Sequence, residues 1–150
     1  MLSTKPRIIN DQPFQTISWV PRIVLGDGKK VELYIRNANY TKHDNVAFCT
    51  FDIEIIEMSR TSDYMATVQM GGLPIVSLAD RMGHVGAVSI AYYADTRINL
   101  PGLSGIVKSG VQTADLLYAT IAGGPLEVLS RQCIQEGTRL SGTIMYTTNS

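Results

Sequence analysis

Charge is scarce in this chain. Only 17% of its 150 residues are Asp, Glu, Lys or Arg, against about 25% in a typical soluble domain. The thirteen basic and thirteen acidic residues cancel, and Lys29-Lys30 is the one adjacent basic pair. Neutralising several phosphates takes a clustered cationic face. With none visible, and no basic N-terminal arm, nucleic acid is not expected as the main partner. A patch brought together by folding from Arg22, Lys29, Lys30 and Arg36 remains a candidate contact for anionic lipid or RNA.

Cysteine and histidine are equally sparse. Cys49 and Cys133 make no disulfide framework, and with His43 and His84 at unrelated spacings they build no zinc site. The segment MLSTKPRIINDQ has no apolar core of a signal peptide, and no run approaches the length of a membrane span, so an intracellular location is expected. Catalytic motifs are missing too. Gly102-Leu103-Ser104-Gly105 lacks the spacing of a nucleophile elbow. Gly26-Asp27-Gly28-Lys29 lacks the upstream glycine of a phosphate loop. No catalytic residue, metal or cofactor is expected. Asp52 and Glu54, two apart on one strand face, form the carboxylate pair on which a small-hydrolase alternative would rest.

What is present is β-periodicity. Over residues 86–100, Val88, Ile90, Tyr92, Ala94, Thr96 and Ile98 fall on one face, and Ala87, Ser89, Ala91, Tyr93, Asp95 and Arg97 on the other. Cys49, Phe51, Ile53 and Ile55 form a second alternation, and the adjacent Ile55-Ile56 predicts a bulge. Leu140, Ile144 and Tyr146 point inward from a final strand. Gly26-Asp27-Gly28 predicts a hairpin between residues 14–25 and the run Val31, Leu33, Ile35, with Pro21 marking an edge or a bulge. Residues 37–45 read as a polar loop. Residues 113–122 fit helix or strand. Residues 125–136 read as a helix, with Pro125 in the first turn, Leu126, Leu129 and Cys133 on one face and Gly137 as a stop.

The sum is about seven strands and one or two short helices, without a helix after every strand. That predicts a mainly β domain over 14–150, an antiparallel sandwich or barrel, preceded by an extended arm over 1–13. Trp19, the sole tryptophan, is a candidate interface residue together with Lys29 and Lys30. Asp95 and Arg97 are a candidate structural ion pair at a strand end.

The stretch VSIAYYADTRI, Val88 to Ile98, resembles a motif of plant-virus movement proteins, a hydrophobic strand followed by Asp-x-Arg and an aliphatic residue. Asp95, Arg97 and Ile98 fill those places. The strand before Asp95 is a residue longer than the family's, and no second motif accompanies it. As a short, neutral, β-rich chain, the protein is also similar to small viral coat and matrix proteins. The resemblance implies a non-enzymatic, self-assembling structural protein working as a homo-oligomer, with viral nucleoprotein or a membrane surface as its partner. The movement-type alternative implies single-stranded nucleic acid.

Overall fold

The computed structural model describes residues 16–79 and 83–149, so the arm expected over 1–13 lies outside the described residues. The alternating runs form ten strands: β1 (Ile17–Ser18), β2 (Arg22–Leu25), β3 (Val31–His43), β4 (Val46–Met58), β5 (Val68–Gly71), β6 (His84–Ala94), β7 (Gly102–Lys108), β8 (Thr113–Ala119), β9 (Leu126–Val128) and β10 (Arg139–Thr147). Every pairing is antiparallel. The order is β1-β3-β4-β10-β6-β7-β8-β5-β2, with β9 beside β8. The class is mainly β, and the sandwich-or-barrel expectation resolves into one curled sheet, a half-barrel.

Short connections enforce the curl. Residues 19–21 lead from β1 at one end of the sheet to β2 at the other, and residues 26–30 lead back to β3. A flat sheet of this order would hold its ends roughly 40 Å apart, at about 4.8 Å per strand. A link of three to five residues spans less than about 20 Å. The turn at Gly26-Asp27-Gly28 is present, with Gly28 at φ 75° and its N–H donating to the Leu25 carbonyl at 2.9 Å. It does not make the expected hairpin. β2 ladders with β5, whereas β3 ladders with β1 and β4. Pro21 accounts for the divergence. The Trp19 N–H still donates to the Ala38 carbonyl at 3.2 Å, but Pro21 has no N–H with which to continue that ladder.

Residues 37–43, read as loop, continue β3 instead, because the strong alternation of β4 carries a partner strand along its whole length. Ala38 turns inward and Tyr40 packs on the core, while Asp44, at φ 52°, closes the turn into β4. The bulge at Ile56 is present. Glu32 opposes Glu57 and Leu33 opposes Ile55, which leaves Ile56 extra and exposed beside a buried Ile55.

Two other expectations fail for local reasons. β6 ends at Ala94, not at 100, and bulges at Ala91. Ser141 opposes Tyr92 and Gly142 opposes Ile90, so the faces exchange at the extra residue: Tyr92 is exposed and Tyr93 packs inward. Residues 113–119 are strand, and the helix expected over 125–136 is absent. Leu126 and Val128 pair with Ala119 and Leu117, and the Leu129 N–H donates to the Leu116 carbonyl at 2.8 Å. The one helical segment among the described residues is a 3₁₀ turn, Arg131–Cys133. The inward spacing of Leu129 and Cys133 is met by extended chain followed by that tight turn.

The core lies inside the curl. Cys49, Phe51, Ile53 and Ile55 of β4 meet Leu140, Ile144 and Tyr146 of β10, Leu116 of β8 and Met70 of β5, all essentially inaccessible to water. No helix among the described residues is long and apolar enough to cross a membrane.

Candidate functional site

The residues singled out from sequence are dispersed by the fold. Trp19 belongs to the core, not to an interface. It is buried, and its Nε1–H donates to the Thr50 carbonyl at 3.0 Å. Lys29 and Lys30 sit on the exposed 26–30 turn, where Lys30 Nζ lies 3.6 Å from Glu32 Oε1. Arg36 pairs with Glu54 at 3.5 Å, six residues and about 20 Å of strand from Lys30. Arg22 lines a different cleft, beside Gly72 and Gln112. The four do not form one patch.

Asp52 and Glu54 share the outer face as expected, but each is engaged by an arginine. Arg139 makes a bidentate contact with Asp52, Nε to Oδ1 at 3.0 Å and Nη2 to Oδ2 at 2.8 Å. This hydrogen bonding holds the Asp52 carboxyl below its ordinary value. Held as a carboxylate, Asp52 fits only the ionised role of a glycosidase pair, and the proton-donor role falls to Glu54, which is itself ion-paired with Arg36. No group of three or more metal-ligating side chains occurs among the described residues.

Asp95 and Arg97 do not pair, because the strand ends before them. Asp95 takes φ 57°, which breaks the alternation that would have set the two side by side. The Asp95 carbonyl instead accepts from Thr138 Oγ1 at 2.8 Å and Gln135 Nε2 at 3.0 Å. Its backbone conformation is therefore the structural feature. Asp95→Ala should cost about 1 kcal/mol, the left-handed penalty that Asp partly escapes, while Asp95→Gly should stay within about 0.5 kcal/mol of the parent in urea unfolding. Equal losses in both variants would restore the carboxylate as the important group.

Two surfaces stand out once the strands are in register. The first is the outer face of β4, β10, β6 and β7. Phe48, Met145, Ala87 and Ile106 stand directly opposite one another in that order, an apolar row across four strands. The next row on the same face is Thr50, Thr143, Ser89 and Ser104. Phe48 and Met145 are 42% and 55% exposed. Charge returns at the margins, with the Lys108–Asp115 ion pair (3.1 Å) on one side and the Asp52–Arg139 pair on another.

The second surface is a cleft at the end of the half-barrel where β4 and β6 finish. The loop after β4 brings Arg60 and Tyr64, the loop after β6 brings Arg97, and the 3₁₀ turn brings Arg131. The Arg97 and Arg131 guanidinium carbons lie 4.6 and 5.0 Å from the centre of the Tyr64 ring. Hydrogen bonding and charge from Arg97, with the charge of Arg131 added, hold the Tyr64 phenol below its ordinary value. Backbone bonds tie the loops together: Arg97 N–H to the Cys133 carbonyl at 3.0 Å, Arg131 N–H to Ala66 at 2.8 Å and Gln132 N–H to Tyr64 at 2.9 Å. Sequence reasoning marked only Arg97 of this set. Arg60, Tyr64 and Arg131 come from separate loops and carry no local pattern.

No protein-family model, curated protein or solved structure matches the chain.

Proposed function

We propose that this chain is a non-enzymatic structural protein that assembles with copies of itself, of the matrix or coat type that a short, neutral, β-rich chain resembles. The observation that carries this reading is the uncharged outer face. A solvated sheet face ordinarily presents charged or strongly polar side chains at its alternate positions, and a broad apolar patch marks a contact surface. Here eight consecutive positions across four central strands carry only apolar groups and small hydroxyls, with ion pairs at the rim. An apolar centre inside a polar rim is the composition of a protein–protein interface. A second copy related by a two-fold axis would lay one Phe48–Met145 row against the other, the self-complementary arrangement of most homodimers. Nucleoprotein or membrane contact would then belong to the assembled array.

The nucleic-acid alternative has less support. Arg60, Arg97 and Arg131 form one locus, whereas a strand of nucleic acid needs a cationic track.

Light scattering over a concentration series, at low and moderate salt, tests the proposal. A discrete multimer of the 16.4 kDa chain is expected. The double variant Phe48→Lys, Met145→Lys should run as a monomer with the far-ultraviolet spectrum and thermal midpoint of the parent, since both side chains point outward. A parent chain that is monomeric at every concentration would overturn the reading.

A further inference from the structure

We propose that the cleft formed by Arg60, Arg97 and Arg131 around Tyr64 is a binding site for a phosphoryl group, a function independent of the assembly face. The argument begins with charge pairing. Elsewhere four cations are matched, Arg36 with Glu54, Arg139 with Asp52, Lys108 with Asp115 and Lys30 with Glu32, while Arg22, Lys29 and Lys42 lie outside the cleft without an ion-pair partner among the described residues. In the cleft no carboxylate lies within ion-pairing distance of any of the three arginines among the described residues. Glu136 is on the wall, but its Oε1 faces the Met58 N–H at 3.4 Å. A chain with no net charge thus concentrates three guanidinium groups without an ion-pair partner, against the single carboxylate of Glu136, in one open cleft of about 310 Å³.

The site is also built in advance. Arg131 Nε donates to Ser62 Oγ at 2.7 Å, which fixes the plane of the guanidinium and leaves its two terminal nitrogens available. Tyr64 is 52% exposed and holds Arg97 and Arg131 against its ring, so two like charges stay close without a counter-ion. The backbone bonds among the three loops keep the groups in place before any ligand arrives, which lowers the ordering cost of binding.

The number of donors selects the ligand class. A carboxylate carries a single negative charge, which one bidentate arginine already balances, as Arg139 does for Asp52. A phosphate group carries a charge near −2 and three strong acceptor oxygens, and it can engage three guanidinium groups at once. The same chemistry is offered by soluble phosphate and by the phosphomonoester headgroup of a lipid.

The test titrates the full chain with inorganic phosphate by calorimetry at fixed ionic strength, and in parallel floats it with phosphatidylcholine vesicles with or without phosphatidic acid. Saturable one-to-one phosphate binding in the low-millimolar range or tighter is expected, weakened about tenfold or more in the double variant Arg60→Gln, Arg97→Gln. Both side chains are exposed, and the Arg97 contact to Cys133 is through backbone, so the fold should survive. Arg36→Gln, removed from the cleft, should bind as the parent does. Phosphate binding alone identifies a soluble ligand, and phosphatidic-acid-dependent flotation lost in the double variant identifies a headgroup. Either supports the site. Failure of both, or binding unchanged in the double variant, overturns it.

Discussion

Gly142→Ala should destabilise the fold more than any other single methyl group added to the sheet. Gly142 lies at the middle of β10, opposite Phe51 of β4 and Ile90 of β6, in the most buried part of the sheet. A Cβ added there would stand 2.1 Å from the Ser89 carbonyl oxygen and 3.1 Å from the Ile90 Cα. Both are backbone atoms of a strand already displaced by the Ala91 bulge, so no side-chain rotation relieves the clash. We expect a loss of about 3 kcal/mol or more, at or beyond the usual upper end for overpacking and a large share of the roughly 5–15 kcal/mol that holds such a domain together. Urea unfolding followed by far-ultraviolet circular dichroism gives the measurement. Gly102→Ala is the control. Its Cβ would meet nothing within 4 Å, and the backbone there is not left-handed, so its stability should stay within about 0.5 kcal/mol of the parent. Equal behaviour of the two variants would mean that β6 and β10 do not have the register described.

That glycine also shows what the sequence does and does not disclose. The alternation of Cys49, Phe51, Ile53 and Ile55, and of Leu140, Ile144 and Tyr146, reveals each strand and its buried face, because period two is a local property. The Ile55-Ile56 doublet reveals a bulge for the same reason. Ala91 sits in an unbroken alternation, so its bulge is invisible until β10 is laid beside it, and Tyr92 and Tyr93 are assigned to each other's faces. Partner choice is still more remote. The 26–28 turn favours a hairpin on local chemistry, yet β2 joins β5 some forty-five residues away. Leu126, Leu129 and Cys133 imitate a helix because three apolar residues at such spacing also suit a strand that ends in a 3₁₀ turn.

The surfaces follow the same division. The apolar row of Phe48, Met145, Ala87 and Ile106 takes one residue from each of four strands, so only register exposes it. The three-arginine cleft draws on three loops whose chain separation hides it completely. The low charge content was the one compositional hint of an uncharged face, and it is the fold that says where that face lies.

The second large effect concerns alkaline pH. Cys49 is inaccessible on the inner face of β4, and burial pushes its thiol up from 9.0 to about 12. Tyr146, on β10 beside it, has its phenol raised well above 10.0, by burial first and the neighbouring Cys49 second. Its hydroxyl donates to the Ile75 carbonyl at 2.8 Å and accepts from the Ile75 N–H at 3.2 Å. Both groups are neutral acids held protonated by the fold. The unfolded chain releases the thiol proton near pH 9 and the phenol proton near pH 10, so above those values the folded state binds more protons and stability falls as pH rises. Below pH 8 neither group contributes a slope. Cys49 alone removes about 1.4 kcal/mol per pH unit above 9, or about 4 kcal/mol by pH 12, and Tyr146 adds a similar slope from pH 10. The urea midpoint should hold from pH 6 to 8 and then collapse between pH 10 and 12. Cys49→Ala separates the two groups. It weakens the core at every pH, but between pH 9 and 10 its stability should fall less than half as far as the parent's, because the thiol carries most of the loss across that unit while the buried phenols of Tyr146 and Tyr118 are only beginning to titrate in the unfolded chain. A Cys49→Ala profile that falls as steeply as the parent's across that unit would mean the thiol does not sit neutral inside the curl, and with it the inward face of β4 would have to be reassigned.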